Sequence, residues 1–536
     1  MARQTRPCDR LAIGATRAVP ACEARKEWIL AAAVLGSSMS FIDESVVNVA
    51  LPGIGKHLAA TLPAMQWIIN AYTLCISALL LVGGAAADQF GRRRVFLIGI
   101  TIFTIASIGC GFAPGIVTLV GSRALQGLGA ALLIPCSLAL IGAAYNEKER
   151  GAAIGIWSGA SAVAAGGGPL LGGWLVDHAS WRLIFLINPV IALPTIWIAW
   201  WRVPESRDPS AHQGLDWIGA ALVFSGLGAL VYGLIAASQA GWGQVTVLLP
   251  LVVGTALLCV FIQVERHSRA PMMPLDLFRS ISFSGINLLT LLLYGALDGA
   301  LFFLPFLLIQ AHGYSATAAG AVYLPFTIVL TALSRWSGHL ADRFGTRGPL
   351  VVGPAIAGIG FALLGFLGDA SHYWLFLVPM TVLGLGMAIT VAPLTTAVVN
   401  GVSNQRMGVA SGINNAVASI AALLFVAILG TIALGAFGRS LDRHLSASAA
   451  SPQIRSVVAG TREAFAPPSI PSSLPEGDRR TVQVVIGDSY VDTIRLVMLI
   501  ASALSWGAAL VAAVTLGKPK RKVQAGQVHL GARSAS

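Results

Sequence analysis

Gly84-Ala-Ala-Ala-Asp88-Gln-Phe90-Gly91-Arg92-Arg93 is a short polar stretch between two long apolar runs, and Gly338-His-Leu-Ala-Asp342-Arg-Phe344-Gly345-Thr-Arg347 repeats it 254 residues later. Each copy predicts a tight turn between two membrane-spanning helices, because the apolar run on either side is long enough to cross a bilayer. The same turn at the same place in two hydrophobic series indicates an internally duplicated membrane protein. Duplicated helical halves are how many secondary transporters achieve alternating access.

Apolar runs of about 20 residues, each bounded by charged or turn-forming residues, predict fourteen spanning helices. They lie near 28–50, 65–86, 95–113, 116–141, 152–175, 183–201, 215–236, 245–263, 283–309, 315–340, 349–367, 373–399, 407–437 and 490–516. Fourteen helices are two more than a pair of six-helix halves requires. The predicted fold class is therefore an all-α membrane protein with two pseudo-symmetric six-helix halves and two inserted helices.

The chain divides into five predicted regions. These are a cytoplasmic tail 1–27, an N-terminal six-helix half 28–201, a linker 202–282 with the two inserted helices, a C-terminal six-helix half 283–516 and a cytoplasmic tail 517–536. The second half includes a long external loop, 438–489. Within this loop, the β-branched run Thr481-Val-Gln-Val-Val-Ile486 indicates either a short strand or hairpin or a loosely ordered connector.

The inserted helices are the seventh and eighth. They contain no acid or base between Trp217 and Ile262, so they have nothing with which to bind a proton or pair with a charged substrate. We expect them to pack as a peripheral hairpin outside the transport path.

Composition and charge placement agree with a polytopic membrane protein. Of the 536 residues, 56% are hydrophobic and 11% charged, against about 25% charged in soluble domains. Most of the 35 Lys and Arg lie in the two tails and in every second loop, whereas the opposite short loops hold only Lys56 and Arg182. This pattern predicts a multi-pass protein of the plasma membrane with both termini cytoplasmic. The net charge of +12 therefore reflects membrane orientation and not nucleic-acid binding.

Enzymatic and metal-binding patterns are missing from the sequence. The six cysteines have no metal-ligand or disulfide spacing, and no H-E-x-x-H, G-x-S-x-G or P-loop motif occurs. We therefore expect a protein that is not an enzyme, uses no cofactor and holds no metal.

Ionisable side chains at membrane depth are costly and are candidate proton or cation sites. Asp43 and Glu44 lie in the first helix, Arg123 in the fourth and Asp298 in the ninth. Glu44 is either a second proton site or faces the external mouth of the path, and Asp298 is either a second proton or cation site or structural. Because a guanidinium keeps its charge, Arg123 can hold a nearby carboxylate ionised, and we expect the first-helix acid as its partner.

Two further stretches have local physical consequences. Asp88 lies at a helix C-terminus, where the macrodipole opposes a negative charge, and Arg92 four residues later is a ready partner. In the fifth helix, Gly166-Gly-Gly168-Pro169-Leu-Leu-Gly172-Gly173 combines a proline that bends the helix with glycines that let a facing helix approach closely.

Four of these stretches resemble motifs of the major facilitator superfamily, in its fourteen-helix drug:H+ antiporter branch. They are the repeated turn, the first-helix stretch Ile42-Asp43-Glu44-Ser45-Val46-Val47-Asn48-Val49-Ala50-Leu51-Pro52, the fourth-helix stretch Arg123-Ala-Leu-Gln126-Gly127-Leu-Gly129 and the fifth-helix glycines. The resemblance covers nearly the whole chain outside the tails and the 438–489 loop.

The resemblance implies a role for each motif. The proton-coupling candidates are Asp43, which is the matching family position, and Glu44, Arg123 and Asp298. The gating candidates, which act as a latch between the halves, are Gly84, Asp88, Gly91, Arg92, Asp342 and Arg347. The fifth-helix motif, with Gly168, Pro169, Gly172 and Gly173, is typical of the exporters and favours export over import.

The sequence thus predicts a proton-coupled exporter of amphipathic drugs or toxic small molecules, cationic ones included, that works by alternating access. The alternative is an exporter of an endogenous metabolite or siderophore on the same fold, because the shape of the pocket and not the motifs sets the substrate. The expected partners are the substrate, protons and the lipid bilayer. We expect a monomer that acts with or without a periplasmic adaptor.

Overall fold

The computed structural model describes residues 25–207, 215–268, 272–367, 372–403, 406–448, 451–459, 461, 465 and 474–517. Within these residues, fourteen helices are long and apolar enough to cross a membrane, and we number them α1 to α14. The predicted all-α membrane fold with fourteen spans is confirmed.

The helix bounds are as follows. The first eight helices are α1 Lys26–Leu58, α2 Leu62–Phe90, α3 Arg92–Gly111, α4 Ile116–Ala144, α5 Glu147–His178, α6 Leu183–Trp201, α7 Trp217–Ala240 and α8 Val245–His267. The others are α9 Ile281–Leu301, continued by Leu304–Phe306 and Leu307–Ala311, α10 with the two segments Ala316–Ala321 and Leu324–Phe344, α11 Arg347–Phe366, α12 Leu377–Asn400, α13 Met407–Ala447 and α14 Glu476–Thr515. Short helices Leu275–Arg279 and Pro452–Ala459 lie between spans.

The same helix pairs pack together in two sets of six. In the first set α4 packs against α2 and α3, α1 against α5 and α6, and α3 against α6. In the second set the equivalent pairs recur eight helices later: α12 packs against α10 and α11, α9 against α13 and α14, and α11 against α14. The duplication seen in the repeated turn therefore extends to the packing of the helices.

Paired glycines bring equivalent helices close together. A Cβ built on Gly99 of α3 would lie 3.0 Å from the carbonyl oxygen of Gly129 in α4. In the second set, a Cβ on Gly353 of α11 would lie 2.8 Å from the carbonyl oxygen of Gly386 in α12. Small residues permit such backbone contact between membrane helices, where dispersion forces replace the hydrophobic effect as the main source of association.

The two sets meet at two related places. Helix α2 packs against α13, and α5 packs against α10. The inserted helix α7 contacts both α2 and α13, so it covers the outside of that first contact, and α8 packs against α7. Large apolar side chains of α8, such as Leu249 and Val252, are exposed, which leaves this helix at the periphery.

The segment 438–489, predicted as an external loop, is more helical than the sequence predicts. Helix α13 continues to Ala447 and α14 already begins at Glu476, so the stretch 481–486 is neither a strand nor a loose connector. Its Val482, Val485 and Ile486 are buried, and this i, i+3, i+4 spacing is helical. The apolar face of the segment therefore decides its conformation against the β propensity of its residues.

The glycine contacts give a test of the packing. Gly99→Leu places a side chain against the backbone of α4 and should destabilise the protein by at least about 1–3 kcal/mol. Gly121→Leu is the control, because a Cβ on Gly121 of α4 meets no atom within 4 Å. Thermal unfolding of the purified protein in detergent should show a lower midpoint for the first variant only. Equal midpoints would contradict the packing described.

Candidate functional site

Both copies of the repeated turn contain a glycine with a positive φ. Gly91 (φ 110°) follows α2, and Gly345 (φ 74°) follows α10. Both φ values lie in the left-handed region, which L side chains rarely adopt, so glycine is required at each. The turn motif therefore encodes a tight reversal between consecutive helices.

In the first copy of the turn, the acid and base pair with each other. Arg92 donates to Asp88 Oδ1 from Nη2 at 2.7 Å and from Nε at 3.0 Å. Gly84 lies one turn earlier and faces Pro135 of α4. A Cβ built on Gly84 would lie 3.7 Å from the Cβ of Pro135. The predicted Asp88–Arg92 pair is present, and its two residues belong to the same six-helix set.

In the second copy, Arg347 bonds to the backbone of another helix. Arg347 donates from Nη2 to the carbonyl oxygen of Ala513 in α14 at 2.7 Å. The side chain of Asp342 lies outside the described part of the structure. Arg347 therefore ties the start of α11 to the end of α14, within the second set.

Asp43 lies at the centre of a buried polar cluster. Its side chain is fully buried, and Arg123 donates to Oδ2 in an ion pair whose partner side chain is equally buried. Oδ1 accepts from Gln126 Nε2 at 2.7 Å and from Asn188 Nδ2 at 2.8 Å. Since every one of these partners donates, the arrangement fits an ionised carboxylate.

Arg123 makes further contacts with a backbone carbonyl, an amide side chain and an aromatic ring. Its Nε donates to the carbonyl oxygen of Ile68 at 3.1 Å and its Nη1 to Gln126 Oε1 at 2.8 Å. The guanidinium carbon lies 4.2 Å from the centre of the Tyr72 ring, within the range of a cation–π interaction. The cluster thus joins α1, α2, α4 and α6. Ser107 of α3 completes it, because its Oγ accepts from Asn188 at 2.9 Å.

Glu44 and Asp298 form a contrasting pair of acids. Glu44 is exposed and Asp298 half-buried, although both lie within spanning helices. Neither side chain has a hydrogen bond or ion pair among the residues that the structure describes. Their carboxyls are near enough to interact electrostatically across the two sets. Both acids therefore keep accessible surface, whereas Asp43 is sealed within the first half.

The fifth-helix motif contacts two other helices at once. Gly168 lies against Ser45 and Gly172 against Val46 of α1, where an added Cβ would be 2.8 Å from the Val46 carbonyl oxygen. On the other side, Gly173 packs against the backbone of Ala316, and the Pro169 carbonyl packs against Gly320. The predicted close approach therefore joins α5 both to α1 of its own set and to α10 of the other.

Asp177 closes the same contact, and the sequence analysis missed it. Its Oδ1 accepts from the amide of Ala316 at 3.1 Å, and its Oδ2 accepts from the amide and hydroxyl of Thr317 at 2.7 and 2.6 Å. An anion at a helix N-terminus is stabilised by the free amides and the dipole there. Asp177 therefore joins the end of α5 to the start of α10. In the sequence, nothing distinguishes it from other acids near a helix end, because its role depends on this contact.

The sequence analysis also gave no role to Gln126 and Asn188. A polar residue 83 or 145 positions away from an acid carries no signal of its own. The membrane depth of these amides was the one available indication, because buried polar groups need hydrogen-bond partners.

Comparison with known proteins extends these observations. Residues 33–426 match the family model of the Major Facilitator Superfamily. The chain belongs to this superfamily. It is 34% identical to the multidrug resistance protein Stp of Mycobacterium tuberculosis over 88% of the chain and 89% of that protein. It is 30% identical to the tetracenomycin C resistance and export protein of Streptomyces glaucescens over 91% of each. The predicted resemblance to the drug exporters of the superfamily is confirmed.

A solved structure supports the fold. The bacterial homologue of the lysosomal transporter Spinster, in an inward-facing and unoccupied conformation, aligns with a TM-score of 0.62 at 17% identity, over 92% of this chain and 99% of that one. Membership of a transporter superfamily makes this chain a membrane transport protein and not an enzyme.

The Asp177 contact generates a prediction. Asp177→Asn removes the charge but keeps the shape, so the junction of α5 and α10 should open more often. In a variant without the six native cysteines, a cysteine at Ala319, which is fully buried, should react with a water-soluble maleimide at least about fivefold faster. His178→Gln is the control, because among the described residues the side chain of His178 bonds only to Trp174 of its own helix. Equal labelling rates would show that Asp177 does not hold this end closed.

Proposed function

We propose that this protein is a proton-coupled exporter of amphipathic drugs or other toxic small molecules, cationic ones included, and that it works by alternating access. It acts in the plasma membrane as a monomer with both termini cytoplasmic. The observation that carries the proposal is the fully buried Asp43–Arg123 pair, because a sealed carboxylate with a permanent cation beside it is a means of coupling a proton to a change of packing.

Protonation of Asp43 would change both the charge balance and the hydrogen bonds of the buried cluster. A protonated Asp43 no longer balances Arg123, and one carboxyl oxygen becomes a donor that faces donors. An unbalanced buried guanidinium is strongly destabilising, by about 3–5 kcal/mol when one partner of a buried pair is removed. Arg123 would then turn toward another acid or toward water. Because the cluster joins α1, α2, α4 and α6, this change would act on the packing of the whole first half.

Helix α5 is in close contact with α10 near one of its ends and not near the other, and this asymmetry supports an alternating-access cycle. The α5–α10 contacts of Gly166, Gly173 and Asp177 lie toward the C-terminal end of α5. Near the other end of α5, a Cβ on Gly151, Gly155 or Gly159 meets no atom within 4 Å. With both termini cytoplasmic, the open end faces the cytoplasm. This conformation would receive substrate from inside the cell.

The unpaired acids favour cationic substrates. Glu44 and Asp298 border the space between the halves and have no basic partner among the described side chains. A cationic substrate would neutralise them, and protons would do so after its release. We propose that Asp43 responds to protonation within the first half while Glu44 and Asp298 meet the substrate.

The names of the relatives are compatible with the alternative function, which is export of an endogenous metabolite. Their names include the probable actinorhodin transporter of Streptomyces coelicolor, at 33% identity over 84% of this chain, beside multidrug resistance proteins. Export of a single endogenous metabolite by the same fold would produce resistance to one chemical class.

Measuring resistance and accumulation across many unrelated compounds, in cells with and without the chain, separates the two functions.

The proton-coupling role of Asp43 is tested by Asp43→Asn. This variant should abolish uphill export of ethidium while the protein remains folded in the membrane, since Asn cannot bind and release the proton. Glu44→Gln should reduce export less. Export is measured as the accumulation of ethidium in energised cells, and size-exclusion profiles check the fold. Wild-type export by the Asn variant would exclude Asp43 as the coupling site.

The latch role of the turn is tested by Asp88→Asn. Loss of the Asp88–Arg92 pair should slow turnover severalfold by shifting the balance of access states, with KM changed less than the rate. Arg92→Gln should act in the same direction. Unchanged transport kinetics together with unchanged cysteine accessibility at both ends would reject this role.

A further inference from the structure

A groove of about 600 Å³ lies on the outside of the first half, between the beginning of α3 and the end of α6. Arg93, Arg94 and Glu205 line one end of it. The remainder is lined by Leu97, Ile98, Ile102 and Trp200 and by Thr101, whose hydroxyl donates to the carbonyl oxygen of Leu97. The groove is therefore charged at one end and apolar along its length.

The charges at the polar end do not cancel one another. Glu205 accepts from the backbone amides of Arg93 at 3.0 Å and Arg94 at 3.2 Å, so its carboxylate is directed at the N-terminus of α3. Arg92 is paired with Asp88. The guanidinium groups of Arg93 and Arg94, however, have no acidic partner among the residues that the structure describes. The end of the groove consequently presents two cationic side chains, while the amides of the helix terminus are already occupied.

The apolar part of the groove belongs to the lipid-facing surface. Ile98 is 46% exposed and Trp200 59% exposed, and the neighbouring Trp197 and Trp201 are exposed as well. Tryptophan is typical of the boundary between headgroups and hydrocarbon. Arg93 lies over the Trp200 ring, with 5.9 Å between the guanidinium carbon and the ring centre. The guanidinium groups are thus placed at headgroup level, directly above a surface that contacts acyl chains.

We propose that this groove binds one anionic phospholipid, with its phosphate between Arg93 and Arg94 and an acyl chain along Ile98 and Ile102. Charge complementarity selects the anionic headgroup, because basic pockets between membrane helices bind such lipids. The apolar wall selects a lipid over a free anion. The site accounts for the two arginines that follow Arg92 and take no part in the turn's ion pair.

The test compares lipids on the purified full-length protein. Native mass spectrometry in detergent, with added phosphatidylglycerol or phosphatidylcholine, should show that the wild type retains phosphatidylglycerol preferentially. R93Q/R94Q should weaken phosphatidylglycerol binding ~25-fold, since each basic residue near an anionic lipid contributes roughly a factor of five. R439Q/R480Q is the matched control, because both arginines are exposed and lie near the other end of the molecule. It should bind phosphatidylglycerol as the wild type does.

Three results would overturn the proposal. The first is equal phosphatidylglycerol binding by R93Q/R94Q and the wild type, and the second is an equal loss in R439Q/R480Q. The third is competition by glycerol 3-phosphate at the same concentration as phosphatidylglycerol, which would indicate a small-anion site without a lipid. If the double variant does not fold, R94Q alone should weaken binding about fivefold, and no effect of that exposed side chain would count against the site.

Discussion

A carboxylate and a guanidinium buried together inside a helical bundle set the packing of the first six helices. Taking Asp43 and Arg123 out of contact with water costs several kcal/mol for each charge, and only good geometry and further hydrogen bonds offset that cost. Gln126 and Asn188 provide those bonds to Asp43. The helices that carry these side chains must therefore converge at one depth, and any change in the charge of Asp43 is felt by all of them.

The second half has the same helix packing without the same charge pair. The shared Gly-Leu-Gly of α4 and α12, at Gly127 and Gly384, places Met380 at the position that corresponds to Arg123. Among the described residues, Asp298 consequently has no ion pair with a cation of its own half and keeps part of its surface accessible. Duplication has thus preserved the architecture while concentrating the buried ion pair in one half and leaving an open acid in the other.

Helix ends govern the charges outside the core. Asp177 binds the N-terminal amides of α10, Glu205 binds those of α3, and Asp88 at the end of α2 takes Arg92 as its partner. Each follows from the helix dipole, which favours anions at N-termini and opposes them at C-termini. The Asp177 contact crosses between the halves and is suited to gating, whereas the Glu205 contact lies within one half and leaves the guanidinium groups of Arg93 and Arg94 at the groove.

The sequence by itself determined the fourteen spans, the duplicated turn and the acids worth testing, because apolar length, turn glycines and charge at membrane depth are local properties of a chain. The sequence also indicated a first-helix acid as the partner of Arg123, but only the tertiary structure decided that this acid is Asp43 and not Glu44. It likewise decided that Asn188 joins them, 145 residues from Asp43. It also decided that the segment around Val482 is helical, since burial of one face outweighs β propensity there. These outcomes depend on which helices meet and at what depth, and that follows from the packing of the whole bundle.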